Sequence, residues 1–289
     1  MTTDLPLLSN PRSERVRSVR SLGRRAVRQR QGLFVVEGPQ AVRELLSYAG
    51  HAASDLYLTS SSAERHTGIV ELAEGLSAQS AETVRRPESA SRQDPGRRRL
   101  RIHLCSDEVL AAMTDTAHPQ GMIAVATPID VPLAETLSAV GDGFVVVLTN
   151  VRDPGNAGTV LRAADAFGAA AVLVSDASVD IYNPKVVRST VGSLFHLPVS
   201  VGTPIPELLA ACQQAGLRVL AADGSGETSL PDVDLSVPHA WVMGNEAWGL
   251  ESEVRDLCDN VVSIPIVRAE SLNLAMAATV CLHASASAR

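Results

Sequence analysis

The sequence predicts an α/β protein: a parallel sheet over residues 142–289, preceded by a smaller α/β unit over residues 1–126. Three observations carry this. In the second half, short continuous runs of Val, Leu and Ala alternate with helical segments, the pattern of strands buried on both faces. The first half holds a more compact alternation of strands and helices. Between them, residues 127–141 carry Pro128 and Pro132 and read as a linker with a short helix.

Residues 12–30 read as one helix. Arg17, Arg20, Arg24 and Arg28 recur at helical spacing, with Val19, Leu22 and Ala26 opposite them. In most proteins such a stripe is a solvated face. In a nucleic-acid binder it tracks phosphates, because guanidinium forks match phosphate oxygens and release counterions. Residues 33–36 follow as a short buried strand, and Glu37-Gly38-Pro39 turns the chain into a helix over 40–49. Leu56-Tyr57-Leu58 is another strand and 62–76 is helical in character. Residues 78–99, rich in Ser, Arg, Gln and Pro, read as a surface loop ending in Arg97-Arg98-Arg99. From Ile102 to Met113 a strand gives way to a short helix, and the turn His118-Pro119-Gln120-Gly121 leads into the strand 122–126.

The second half begins with the strand 144–148 and a helix over about 157–167. The strand 171–174 precedes a helix from Pro184 to Phe195, and 197–201 is a further strand. A helix over 206–215 precedes the strand 217–221; the strand 241–243 precedes the helix 250–258. The strand 261–264 and a helix over 271–286 end the series. Ligands of such sheets sit beyond the carboxyl ends of the strands.

Composition narrows the function class. The chain is 45% hydrophobic and 20% charged, too apolar for disorder, and only 3% aromatic, so its core rests on aliphatic side chains. No run approaches a membrane span, and the Arg-rich start has no apolar stretch of a secretory signal. The four cysteines, at 105, 212, 258 and 281, form no C-x-x-C pair, which excludes a zinc ribbon and points to a reducing, cytoplasmic setting. The scattered histidines offer no metal spacing. The net charge of −7 hides an asymmetry: residues 1–126 carry +3, with +6 in the first thirty, and residues 127–289 carry −10. The basic end argues for nucleic acid.

Three polar clusters lie where strands end. The first is Asn150-Val-Arg152-Asp153-Pro154-Gly155-Asn156-Ala-Gly158-Thr-Val-Leu-Arg162, in which Asn156 reads as a helix N-cap and Gly168 as its stop. A capped turn with a surface arginine explains Pro154, Gly155 and Asn156, but not why Asn150, Arg152, Asp153 and Arg162 crowd one loop. The second is Gly244-Asn245-Glu246-Ala-Trp-Gly249-Leu250, whose glycines permit close backbone approach by a ligand. The third is Ile264-Pro265-Ile266 with Glu270-Ser271-Leu272-Asn273-Leu274-Ala275, where Ser271 or Asn273 would cap the last helix. Other nucleotide signatures are missing: there is no Walker A loop, and Gly224-Ser-Gly226 does not open a helix.

In this order the three clusters resemble the three signature motifs of the SpoU (TrmH-like) 2′-O-ribose RNA methyltransferases of the SPOUT superfamily. Residues 183–198 are similar to the segment between the first two motifs, and Phe34–Gly38 and His118–Gly121 to the family's substrate-binding domain. The resemblance implies an RNA substrate-binding domain over 1–126, a linker, and a methyltransferase domain over 142–289 with a C-terminal trefoil knot. It implies S-adenosylmethionine, held by backbone groups around Gly244, Ile264 and Leu272. It also implies a homodimer and neither metal nor membrane.

The reaction it implies is in-line methyl transfer to a ribose 2′-oxygen, where alignment of oxygen, methyl and sulfur supplies much of the rate. Arg162 is expected at the 2′-hydroxyl. A guanidinium keeps its proton at neutral pH, so it acts either with a phosphate as proton acceptor or as an electrostatic stabiliser of the alkoxide. Asn156 and Asn273 are expected to position RNA and catalytic side chains, Glu246 to orient Arg162 or the ribose, and Ser271 to hold a phosphate or cofactor group. Arg17, Arg20, Arg24 and Arg28 are expected to bind RNA. Ribosomal RNA is the first substrate expected and tRNA the second. A non-catalytic RNA-binding or ribosome-assembly protein, and a dinucleotide-dependent oxidoreductase, remain as other classes; the missing glycine fingerprint weighs against the latter.

Overall fold

The computed structural model describes residues 6–85 and 99–289. They form two compact units: one runs to Ile129 and includes Tyr182–Phe195, and the other comprises Asp130–Ile181 and His196–Arg289.

The first unit is built on a four-stranded sheet of β1 (Phe34–Glu37), β2 (Ala53–Leu58), β3 (Arg101–Leu104) and β4 (Met122–Ala126), in the order β1-β4-β2-β3. β4 is antiparallel to both neighbours, and β2 and β3 are parallel. One face is covered by α1 (Glu14–Ser21), α2 (Arg25–Gln31) and α6 (Asp107–Met113), which bury Val16, Val19, Leu22, Val27, Val109 and Leu110 against Val35, Tyr57, Ile123 and Val125. α3 (Pro39–Tyr48) packs against β1 and β4, and α5 (Thr67–Arg85), which follows α4 (Ser60–Arg65), packs against α3.

The single helix expected over 12–30 is two helices, interrupted at Leu22–Arg24. The cause is Arg28. Its side chain is only 4% exposed, and its Nη1 donates to the carbonyls of Leu22 at 2.8 Å and Gly23 at 2.9 Å. Arg28 therefore closes the interrupted turn and is no member of an outward stripe; Arg17, Arg20 and Arg24 are exposed. The core position assigned to Ala26 belongs to Val27. The surface loop expected over 78–99 is helical up to Arg85, while 86–98, with Arg97 and Arg98, lie outside the described residues.

The segment 182–195 belongs to this unit through α9 (Pro184–Thr190) and a single 3-10 turn, Ser193–Phe195. The continuous helix expected from Pro184 to Phe195 is broken by left-handed backbone at Val191 (φ 53°) and Gly192 (φ 103°). A Cβ at residue 192 would lie 2.4 Å from Cγ of Glu44 on α3, so glycine is needed there for the close approach as well. Arg188 of α9 pairs with buried Glu37 at 3.2 Å, and Glu37 also accepts from the hydroxyls of Thr114 and Thr116.

The second unit is a seven-stranded, wholly parallel sheet. Its strands are β5 (Phe144–Leu148), β6 (Ala171–Ser175), β7 (Val199–Thr203), β8 (Arg218–Ala222), β9 (Thr228–Ser229), β10 (His239–Met243) and β11 (Asn260–Ser263). The order is β7-β6-β5-β10-β8-β11-β9. The two-residue β9 has no counterpart in the expected elements; two residues carry no readable period. The helices are α7 (Leu133–Ser138), α8 (Pro154–Ala166), α10 (Ile205–Gln214), α11 (Ser252–Asp256) and α12 (Leu274–Ser287).

Both faces are covered, as the apolar runs required. Val145 and Val147 of β5 with Ala240 and Val242 of β10 face Leu137, Leu208, Leu209 and Cys212. Their neighbours point the other way: His239 and Trp241 of β10 meet Ser285 of α12, and α12 packs against α8. β5, β6 and β7 step outward in one direction, after which the chain crosses to β8 and inserts β10 beside β5. That reversal is a topological switch, and the loops after β5, β8, β10 and β11 all open at the carboxyl edge beside it. No helix among the described residues is long and apolar enough to cross a membrane.

Candidate active site

Leaving β5, the chain places Asn150 in left-handed backbone at φ 55°, a conformation asparagine tolerates better than most residues. Its carbonyl accepts from Nδ2 of Asn245 at 2.8 Å, which ties the loop after β5 to the loop after β10. Backbone geometry thus explains Asn150. α8 then starts on Asp153, whose Oδ1 accepts from the Asn156 N–H at 2.9 Å. Asp153, and not Asn156, is the N-cap. The amide of Asn156 is thereby free for other work.

That work is a chain of hydrogen bonds through all three clusters. Asn273 donates from Nδ2 to Oδ1 of Asn156 at 3.1 Å, and Asn156 donates from Nδ2 to Glu246 at 3.3 Å. The Glu246 carboxylate also accepts the backbone N–H groups of Arg152 at 3.1 Å and Asp153 at 2.9 Å. Burial alone would raise the Glu246 pKa, but these backbone donors and the Asn156 amide outweigh it and hold the carboxyl below its ordinary range. Asn273 caps α12 with Oδ1 on the Ala275 N–H at 2.9 Å, so one side chain starts the last helix and joins the network.

The Arg162 side chain is exposed and makes no hydrogen bond or ion pair with any described residue. It follows Asn156 by six residues, about 9 Å along the helix and roughly 120° around it. Glu246, expected to orient Arg162 or the ribose, makes no hydrogen bond or ion pair with Arg162 and binds the Arg152 and Asp153 backbone and Asn156.

Beside the network lies a cavity of about 250 Å³, lined by three loops and the start of α12. Gly244, Ile264, Ser271 and Leu272 all line it. Ile266 and Leu274 add an apolar wall, and Asp223, Glu246 and Glu270 are its carboxylates. Gly244 is required for a reason other than ligand approach. A Cβ there would sit 2.4 Å from the Gly249 carbonyl carbon, inside the closed loop itself. Apolar walls against a planar base, backbone groups at its edge and carboxylates toward a cation match the chemistry of S-adenosylmethionine.

Asp223 at the end of β8 is a site residue absent from the expectations. It accepts from the N–H and hydroxyl of Ser225, and its side chain also takes the Leu250 N–H. Arg255 lies 3.6 Å away. Burial opposes ionisation, but these donors and Arg255 together keep its pKa low. The readable signal is its place: an acid at the carboxyl end of a parallel strand. Among the described residues no group of three or more His, Cys, Asp or Glu side chains is placed to hold a metal ion.

The comparisons with known proteins agree with this geometry. Residues 143–283 match the SpoU rRNA Methylase family and residues 13–124 the MRM3-like substrate binding domain. The chain is 31% identical over 185 residues to the 23S rRNA (guanosine(2553)-2′-O)-methyltransferase RlmP of Bacillus subtilis, spanning 64% of this chain and 72% of that protein. The crystal structure of an AdoMet-bound rRNA methyltransferase from Sinorhizobium meliloti superposes with a TM-score of 0.81 at 26% identity, covering 97% of each chain. That of the SpoU methyltransferase AviRb from Streptomyces viridochromogenes, in complex with AdoMet, gives 0.74 at 28% identity, covering 96% of this chain and 98% of that one. The parallel sheet with its switch point is accordingly the knot-forming SPOUT arrangement, and the chain belongs to the SpoU family of RNA methylases.

Proposed function

We propose that this protein transfers a methyl group from S-adenosylmethionine to a ribose 2′-hydroxyl of ribosomal RNA. The observation that carries the reading is the Asn273–Asn156–Glu246 chain, which joins three segments far apart in sequence at one edge of the sheet, beside an apolar cavity with acidic groups. The RlmP relative and the Sinorhizobium structure support an rRNA substrate.

S-adenosylmethionine, when bound, supplies a methyl group already activated by its sulfonium. The cavity formed by Gly244, Ile264 and Leu272 holds the donor, with Asp223 keeping the loop at Leu250 in place. Glu246 fixes the loop after β5, and Asn156 and Asn273 hold the ribose edge of the site. Arg162 offers a guanidinium to the developing alkoxide, and the proton of the 2′-hydroxyl passes to a neighbouring RNA phosphate. Ser271 holds a phosphate or the donor's polar end. Residues 1–126 act as the RNA-binding domain, with Arg17, Arg20 and Arg24 as phosphate contacts, and residues 142–289 as the methyltransferase domain. The active form is a cytoplasmic homodimer.

The test is tritium transfer from labelled S-adenosylmethionine into bacterial RNA, separated into ribosomal and transfer fractions. Label in the ribosomal fraction is expected. Label only in the transfer fraction would replace the substrate. No label in either fraction, or in assembling ribosomal particles, would return the chain to a binding role.

A further inference from the structure

Two side chains at the site have no task in the mechanism above. Trp248 is 56% exposed, in a protein whose other tryptophan, Trp241, is completely buried. It sits on the loop 245–249, closed by two reciprocal backbone hydrogen bonds between Asn245 and Gly249, at 2.8 and 3.0 Å. The Asn245 side chain stiffens that loop, reaching the Asn150 carbonyl with its amide and accepting the Ala247 N–H at 2.8 Å. An indole offers a large apolar surface, and here it is held in water on a braced loop two residues from Glu246.

Arg152 is the second. Its backbone N–H is bound by Glu246, while its exposed side chain makes no hydrogen bond or ion pair with any described residue. Glu246 therefore joins the loop that carries the Arg152 guanidinium, unpaired among the described residues, to the loop that carries the exposed Trp248 ring. The two acids nearest Arg152 in the chain and in the network are engaged: Glu246 by two backbone N–H groups and Asn156, and Asp153 as the cap of α8. A cation and an exposed ring on two loops joined through Glu246 suit a nucleotide better than an apolar protein surface. Proteins read unpaired RNA by stacking splayed bases on aromatic faces and pairing phosphates with arginine.

We propose that Trp248 and Arg152 form a nucleotide subsite at the mouth of the active site, Trp248 stacking a base of the substrate RNA and Arg152 holding a phosphate. Trp248 and Arg152 select RNA whose target region presents an unstacked base. This rests on the RNA methyl-transfer reading.

The experiment uses the full chain, protein-free bacterial ribosomal RNA, and Trp248→Ala, Trp248→Phe and Arg152→Ala variants. Because Trp241 is buried, RNA should quench tryptophan emission in the wild type and not in Trp248→Phe. Trp248→Ala should raise KM for RNA by about 5- to 150-fold, the range of one lost base stack, with kcat and S-adenosylmethionine affinity kept. Trp248→Phe should stay within a few-fold of wild type, because the stacking face survives. Arg152→Ala should flatten the salt dependence of RNA binding by about one phosphate contact. Methyl transfer without quenching, and with an unchanged KM in Trp248→Ala, would overturn the subsite. So would a change from dimer to monomer in Trp248→Ala on sedimentation, since the indole would then belong to a contact between copies. A wild type that quenches with RNA but transfers no methyl group to it or to assembling ribosomal particles would overturn the reaction reading and leave the subsite standing.

Discussion

Asn273 donates to Asn156 at 3.1 Å across 117 residues of sequence, joining the cap of the last helix to the first turn of α8. The bond makes the geometry around Glu246 depend on where the chain after β11 comes to rest. Asn156→Ala removes a donor to Glu246 and an acceptor for Asn273 at once, without touching the cap on Asp153. The variant should fold, and its kcat/KM should fall about 10- to 100-fold, the scale of one or two hydrogen bonds to a charged group. Calorimetric S-adenosylmethionine titration should show a smaller loss. Unchanged turnover would show that the network is scaffolding only.

Glu246→Gln tests the carboxylate itself. A glutamine offers one carbonyl oxygen where Glu246 presents two to the Arg152 and Asp153 donors, so one N–H loses its partner. The folded pKa of Glu246 lies below its ordinary 4.5, so its stabilisation is complete above that value and is lost as pH falls through the folded pKa. The melting-temperature gap between wild type and Glu246→Gln should be constant above about pH 5 and close below it. A gap that persists in acid would assign the loss to packing.

Arg162→Ala should abolish methyl transfer, by at least about 100-fold, while S-adenosylmethionine still binds. Its exposed side chain has no partner among the described residues, so the fold should lose little by its removal. Arg162→Lys should restore only part of the rate, because a point charge does not reproduce a planar fork. Full activity in Arg162→Ala would sink the assignment.

The sheet was legible because each buried strand is a short Val/Leu run, and parallel strands need helices between them. Cluster order was legible because polar residues at strand ends have few structural uses. What escaped depends on tertiary contact. Arg28 has helical spacing with Arg17 and Arg24, and nothing local says that its guanidinium turns inward to Leu22 and Gly23. Asp153 and Asn156 are both good caps by type, and only the α8 backbone decides between them. The break at Val191 and Gly192 is left-handed backbone, and the close approach of Glu44 on α3 to Gly192 is a contact no local pattern encodes.

The basic helices separate two kinds of arginine. Replacing exposed Arg17, Arg20 and Arg24 together with Ala should weaken RNA binding and flatten its salt dependence, by about 0.7 to 0.9 log units per lost phosphate contact. Stability should barely change. Arg28→Ala should do the reverse: two carbonyls lose their donor inside the fold, at a cost of about 1–3 kcal/mol, with the salt slope intact. Equal salt effects from all four positions would contradict the buried placement of Arg28.

His239 gives the fold an acid limit. It lies fully buried on β10, with Nδ1 2.7 Å from the Val237 carbonyl and Nε2 2.7 Å from the Ser285 hydroxyl. A carbonyl can only accept, so Nδ1 carries the proton of the neutral ring; the Ser285 Oγ beside Nε2 takes the Trp241 indole N–H at 2.8 Å and has the Cys281 carbonyl as an acceptor at 3.1 Å. Charging the ring would place a cation in the buried interior. Burial lowers the His239 pKa from 6.5; the Val237 carbonyl opposes this, and Arg289 and Arg218 add to it. The unfolded chain then binds a proton that the folded chain refuses, so stability is complete above about pH 6.5 and falls as pH drops toward the folded pKa. Melting curves of wild type and His239→Gln across pH 5 to 8 should show a steeper acid decline in the wild type, and parallel declines would remove His239 as its cause.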